Sequence, residues 1–201
     1  MIEETQQKHE VLFGLRIVSI FGSYNFDHVD KILRTVSSCL MEKNYFPVLL
    51  DIRRNICGES QRFAEFLNYL YELGWTARQV THLLLGISRF AIIDDSVPSG
   101  AIIEIGYARN TGTITFILVA SDDSHTYRSS WMMLDFPIHS KDFILKRYRI
   151  IMRGNSINID INQVKELVEE IISDAEKRLA ERLNSFNKFR QEYRNGLNLY
   201  Y

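Results

Sequence analysis

The stretch Ser88-Arg-Phe-Ala-Ile-Ile-Asp-Asp-Ser-Val-Pro-Ser-Gly-Ala-Ile-Ile-Glu-Ile-Gly-Tyr-Ala108 joins a short apolar run to a helical pattern through a polar turn. Phe90 to Ile93 is too brief for a globular helix and has the unbroken hydrophobicity of a parallel strand buried on both faces. It stops at Asp94 and Asp95. Pro98 lacks an amide donor and Gly100 relaxes the backbone, so the turn breaks the strand and leaves Ser99 placed to cap a helix. In that helix Ile102, Ile103, Ile105, Gly106 and Ala108 form an apolar face. Glu104 interrupts it one turn after the cap, near the positive end of the helix dipole.

Outward from this centre the chain alternates strand and helix. Leu15 to Phe21 reads as the first strand, ended by Gly22-Ser23-Tyr24-Asn25. Asp27 is placed to cap a helix in which Val29, Ile32, Leu33, Val36 and Leu40 recur at helical spacing up to about Lys43-Asn44. Phe46 to Ile52 supplies a second strand with Arg53 to Gly58 as its exit loop, and Glu59 to Gly74 and Thr76 to Ile87 read as helices leading back to the central strand. Beyond Glu104, Thr111-Gly112 is a helix stop, Thr113 to Val119 a fourth strand, Ser121 to Ser130 a loop and Trp131 to Phe136 a short packing turn. A fifth strand falls between Phe143 and Met152. The pattern predicts an α/β fold, a flavodoxin-like or Rossmann-like parallel sheet of about five strands with helices on both faces, plus a long C-terminal helix.

That helix, Asn162 to about Arg194, carries Val164, Val168, Ile171, Ala175, Leu179, Leu183 and Phe186 as a stripe. Its distal half outruns one small sheet, and Leu179, Leu183, Phe186, Phe189 and Tyr193 share a side there. The expected organisation is an α/β domain over 1–155 and a helical extension over 156–201, the extension joining copies of the chain into a homo-oligomer.

Composition narrows the partners. The 201 residues are 46% hydrophobic, enough for one sizeable core, and Lys+Arg 24 against Asp+Glu 25 gives a net charge of -1. That balance argues against a nucleic-acid or anionic-membrane partner, and no apolar run is long enough to span a bilayer. The polar start of the chain and the lone pair Cys39 and Cys57 suit a cytoplasmic protein with structural thiols. His9, His28, His82, His125 and His139 have no metal-type spacing, so no metal is expected.

The segment Gly100-Ala-Ile-Ile-Glu-Ile-Gly-Tyr-Ala108, after a strand ending in Asp and Ser, resembles the signature of the nucleoside 2-deoxyribosyltransferase-like superfamily. Looser similarity runs from Arg16 to Val119. The resemblance implies that Glu104 attacks the anomeric carbon of a nucleoside. It is shared with TIR-type domains, where a helix glutamate cleaves the N-glycosidic bond of NAD, and with hydrolases of deoxynucleoside monophosphates. Relatives with transferase activity carry further acidic residues where this chain has Val97-Pro98-Ser99, which favours water as acceptor.

The residues themselves point to the same place. In an open parallel sheet, ligands collect beyond the carboxyl ends of the strands where the strand order reverses. A flavodoxin-like order brings Phe21-Gly22-Ser23-Tyr24 beside Asp95-Ser96 and the Glu104 helix. Alternation sends Asp94 and Asp95 to opposite faces. Asp95 is assigned to the leaving base and Asp94 to loop amides, or the two roles are exchanged. Substrate contacts are expected from Phe21, Gly22, Ser23, Tyr24, Asp51, Arg53, Ser96, Ser99 and Gly100, with Tyr24 and Phe26 as stacking surfaces for a base and a Cβ at Gly22 expected to block the ligand. The Gly-x-Gly-x-x-Gly fingerprint is absent, so no resident cofactor is expected, NAD entering only as substrate. The predicted function is an N-glycosidase acting on NAD or a deoxynucleotide. The competing reading is a non-catalytic nucleotide sensor whose C-terminal helix relays occupancy.

Overall fold

The computed structural model describes residues 16–23, 26–49, 61–96, 101–121, 142–153 and 156–197. Along the chain these form β1 (Ile17–Phe21), α1 (Asp27–Glu42), β2 (Phe46–Leu49), α2 (Gln61–Glu72), α3 (Ala77–Ile87), β3 (Phe90–Asp94), α4 (Ala101–Thr111), β4 (Thr115–Ser121), β5 (Phe143–Arg153), β6 (Ser156–Ile159) and α5 (Ile161–Leu197). One sheet runs in the order β2-β1-β3-β4-β5-β6. Its first five strands are parallel, which is the flavodoxin-like order, and β6 is antiparallel to β5. The sequence pattern alone stops at β5. Gly154-Asn155 between two alternating runs is a hairpin signal that marks the sixth strand.

Every residue of β1 and β3 is buried because helices cover both faces. On the first face Val18, Ile20, Phe90, Ile92 and Tyr148 pack against Val29, Ile32 and Leu33 of α1 and Val168, Ile171 and Ala175 of α5. On the second, Phe21, Ala91, Ile93 and Ile117 meet Ala101, Ile105 and Ala108 of α4, while Ile17 and Val48 meet Leu67 and Leu70 of α2 and Val80 and Leu84 of α3. Local signals agree with these elements in most places. Thr76 and Gln79 form a reciprocal capping box on α3, and the left-handed Asn44 (φ 59) and Gly112 (φ 65) close α1 and α4. Asp27 is a correction. Phe26 occupies the cap of α1 without a side-chain bond, and Asp27 lies inside the first turn, where with Asp30 it offsets the helix dipole.

The long helix is tied to the amino edge of the sheet. Glu176 accepts from Arg16 (2.8 Å), just before β1, from Tyr45 (2.5 Å), just before β2, and from Arg89 (2.8 Å), just before β3. Six residues on, Arg182 donates to the Gly112 carbonyl (2.8 Å), before β4, and to Asp142 (2.5 Å), before β5. Two side chains of α5 thus reach the starts of all five parallel strands. They leave the carboxyl edge to the candidate site.

Candidate functional site

The strand order reverses between β1 and β3, so the crevice at their carboxyl ends is where an open sheet offers a ligand its place. Phe21, Gly22 and Ser23 leave β1 there, and Asp94, Asp95 and Ser96 leave β3. Tyr24, Asp51, Arg53, Ser99 and Gly100 lie outside the described residues, as do Cys57 and the expected turn at Trp131 to Phe136. Cys39 is a buried free thiol in α1.

The two strand-end carboxylates occupy different environments. Phe90 and Ile92 belong to the first-face core and Ala91 and Ile93 to the second, so alternation puts Asp94 with the former and Asp95 with the latter, on the side of α4. Asp94 is 1% exposed, and its Oδ1 accepts from the Ser96 amide at 3.0 Å. Its Oδ2 is buried without a hydrogen bond. Burial pushes this carboxyl from 3.8 to about 6, hydrogen bonding from Ser96 and the nearby Tyr148 hydroxyl pulling weakly the other way. Tyr148 itself is fully buried. Its hydroxyl lies 2.5 Å from Ser96 Oγ, which also accepts from the Ala120 amide at 3.2 Å. The Ser96 hydroxyl, expected to meet substrate, is therefore engaged in a part-buried link between β3, β4 and β5. Tyr148 gives no signal in the sequence because only strand register brings it beside Ala120.

Asp95 continues the β3–β4 ladder by donating its amide to the Leu118 carbonyl at 2.9 Å. Its side chain is buried among the ends of the strands on the α4 side. Glu104 stands in the first turn of α4, half-buried, with Oε2 out of contact with water and without a hydrogen bond. Burial raises its pKa above the ordinary 4.5, against a smaller pull from its own amide. On the helix it precedes Tyr107 by three positions and Ala108 by four. Tyr107 faces His82 of α3 and Ala108 faces the sheet, so Glu104 projects into the corner between α3, α4 and the ends of β1 and β3. Asp95 and Glu104 thus share the second face at the switch point.

Gly22 behaves otherwise than expected. Its φ is not positive, and a Cβ there would lie 2.8 Å from Leu33 Cδ1, 3.2 Å from Asp94 Cβ and 3.3 Å from Val29 Cγ1. Because Phe21 points to the second face, a side chain at 22 points to the first, into α1. It would strain the core rather than fill the crevice. Only the backbone of Gly22 remains for a ligand to approach. Among the described residues no group of His, Cys, Asp and Glu is arranged to hold a metal ion, and no helix is long and apolar enough to cross a membrane.

No family model matches the chain, and no curated protein matches it. Among solved structures it is similar to the CMP N-glycosidase BcmB of Clostridium botulinum, with a TM-score of 0.45 and 14% identity over 75% of this chain and 98% of that one. A likeness that distant assigns no residue a role.

Proposed function

We propose that the chain is an N-glycosidase that cleaves the base–sugar bond of a nucleotide, NAD or a deoxynucleotide, with water as acceptor. The observation that carries this reading is the Glu104 carboxyl, half-buried at the switch point with one oxygen unsolvated and unbonded, in the segment that resembles a glycosyl-transfer signature. As the C1′–N bond breaks, its electron pair leaves with the base and positive charge grows on the sugar. A carboxylate held against C1′ stabilises that charge or captures it as a glycosyl ester. Partial desolvation strengthens the interaction, because little water competes for it. With a deoxynucleotide, Asp95, on the same face, donates the proton that the departing nitrogen needs and then accepts one from water; nicotinamide leaves NAD as a neutral base without a proton, and Asp95 then only accepts the proton from water. Water oxygen bonds C1′, releasing Glu104 and the free sugar phosphate, or ADP-ribose where the substrate is NAD.

The test is incubation with NAD and with a panel of deoxynucleosides and their monophosphates, reading free base. Glu104→Gln keeps the shape and removes the charge, so base release should fall at least 100-fold with the fold intact, on the order of the loss seen when one transition-state group is removed. Ordinary turnover by that variant ends the catalytic reading. As partner we further propose a second copy of this chain, docked on the distal half of α5, where Leu183, Phe186 and Phe189 are 59%, 60% and 63% exposed.

A further inference from the structure

We infer that Arg78 anchors the phosphate of the substrate, making the site one for nucleotides rather than nucleosides; the inference rests on the glycosidase reading of the same crevice. Helices α3 and α4 both run from the carboxyl edge to the amino edge of the sheet and keep a constant register. His82 meets Tyr107 edge-on with ring centroids 5.6 Å apart, and one turn lower a Cβ at Gly86 would lie 3.8 Å from Thr111. Each pair is twenty-five positions apart in sequence. One turn above His82 the same register sets Arg78 opposite Ile103, with Glu104 next to Ile103 on the sheet side. Arg78 and Ile103 are both exposed there, at the carboxyl edge of the sheet where the crevice lies.

Among the described residues Arg78 has no partner. Among the described residues no carboxylate pairs with it, and the first turn of α3 contains no acidic residue. A cation in the first turn sits at the positive end of the helix dipole, an unfavourable place that a bound anion would relieve. Nor is its charge spent on Glu104, whose carboxyl is raised by burial with no contribution from a neighbouring cation. The two groups therefore stand as separate poles at the carboxyl edge. An anionic substrate needs such a counter-charge, since Asp94, Asp95 and Glu104 would otherwise repel it. A guanidinium matches a phosphate by two parallel hydrogen bonds, and a carboxylate matches the developing charge at C1′.

The experiment compares a deoxynucleoside, its 5′-monophosphate and NAD on the full chain, measuring both base release and equilibrium binding. Wild type should favour the phosphorylated ligands. Arg78→Gln should lower kcat/KM for them by about 10- to 100-fold, the worth of one or two charge-assisted hydrogen bonds, and leave the nucleoside unchanged, with Arg78→Lys between. Loss confined to the monophosphate or to NAD identifies which nucleotide the site takes. If no base is released by any form, the glycosidase reading fails while binding still tests Arg78. Equal wild-type affinity for nucleoside and monophosphate, or an Arg78→Gln protein that keeps the preference, overturns the inference.

Discussion

At the scale of single residues, burial raises two carboxyls, Asp94 and Glu104, that stand in different surroundings. Asp94 is enclosed, and its elevated value makes the fold pH-sensitive. Between 3.8 and about 6 the folded protein holds a proton that the unfolded chain has released, so this contribution to stability is fully present below the lower value and is lost as pH rises through the upper one. The difference amounts to roughly 3 kcal/mol, since a tenfold change in proton affinity is worth about 1.4 kcal/mol. Asp94→Asn keeps an oxygen for the Ser96 amide and removes the charge, so urea unfolding from pH 4 to pH 7 should show a flatter profile and a more stable protein at neutrality. A variant that follows the wild-type profile would locate the titration elsewhere. In the proposed reaction Glu104 must be ionised to act. Base release should therefore decline on the acid side at a pH above 4.5, the ordinary glutamate value, in a kcat/KM profile. Gly22→Ala tests the first loop from the other side. With Leu33, Val29 and Asp94 in its way, the new methyl should cost about 1 to 3 kcal/mol in unfolding free energy, while ligand affinity in the folded fraction stays near wild type.

At the scale of elements, what could be read in the sequence was whatever periodicity and punctuation determine. β3 was legible because four apolar residues end at two aspartates, and α4 because a capped helical pattern follows a Pro and Gly turn. The parity of Asp94 and Asp95 followed from alternation alone. The Tyr148–Ser96 link and the placement of Arg78 opposite Ile103 were not legible, because each needs the register between elements far apart in sequence. The same holds for the Glu176 cluster, whose three partners precede three different strands. Burial pushes the Glu176 carboxyl up, but hydrogen bonds from Tyr45, Arg16 and Arg89 together hold it below the ordinary glutamate range. Burial and the bond to Glu176 push Tyr45 up to about 12. Glu176→Ala leaves Arg16, Tyr45 and Arg89 without a common acceptor. After discounting for partial exposure, the loss should be about 1 to 3 kcal/mol by urea titration. An unchanged midpoint would mean that packing of Val168, Ile171 and Ala175 alone holds α5 in place.

At the scale of the whole molecule, the long helix is fastened at one edge of the sheet and the candidate site lies at the other. α5 is fastened at the amino edge through Arg182, and the fifteen residues after it reach about 22 Å further at the α-helical rise. The apolar stripe that buries Val168, Ile171 and Ala175 continues along that projection as Leu183, Phe186 and Phe189, now facing solvent. Covering such side chains contributes on the order of 1.5 to 3 kcal/mol each before the cost of ordering two chains, enough to hold a two-fold dimer without fixing its affinity. The candidate site opens at the opposite edge. A dimer formed on the projecting helix therefore leaves each crevice to one chain, and assembly and chemistry should separate cleanly. Deleting the chain from Leu183 onward keeps Glu176 and Arg182 with their strand-start partners, so the shortened protein should remain folded and run as a monomer in light scattering where the full chain runs as a dimer. Base release per chain should be unchanged. A full-length protein that is already monomeric at micromolar concentration removes the dimer. Activity that vanishes with assembly would mean that the partner copy reaches the carboxyl edge, and would overturn the separation.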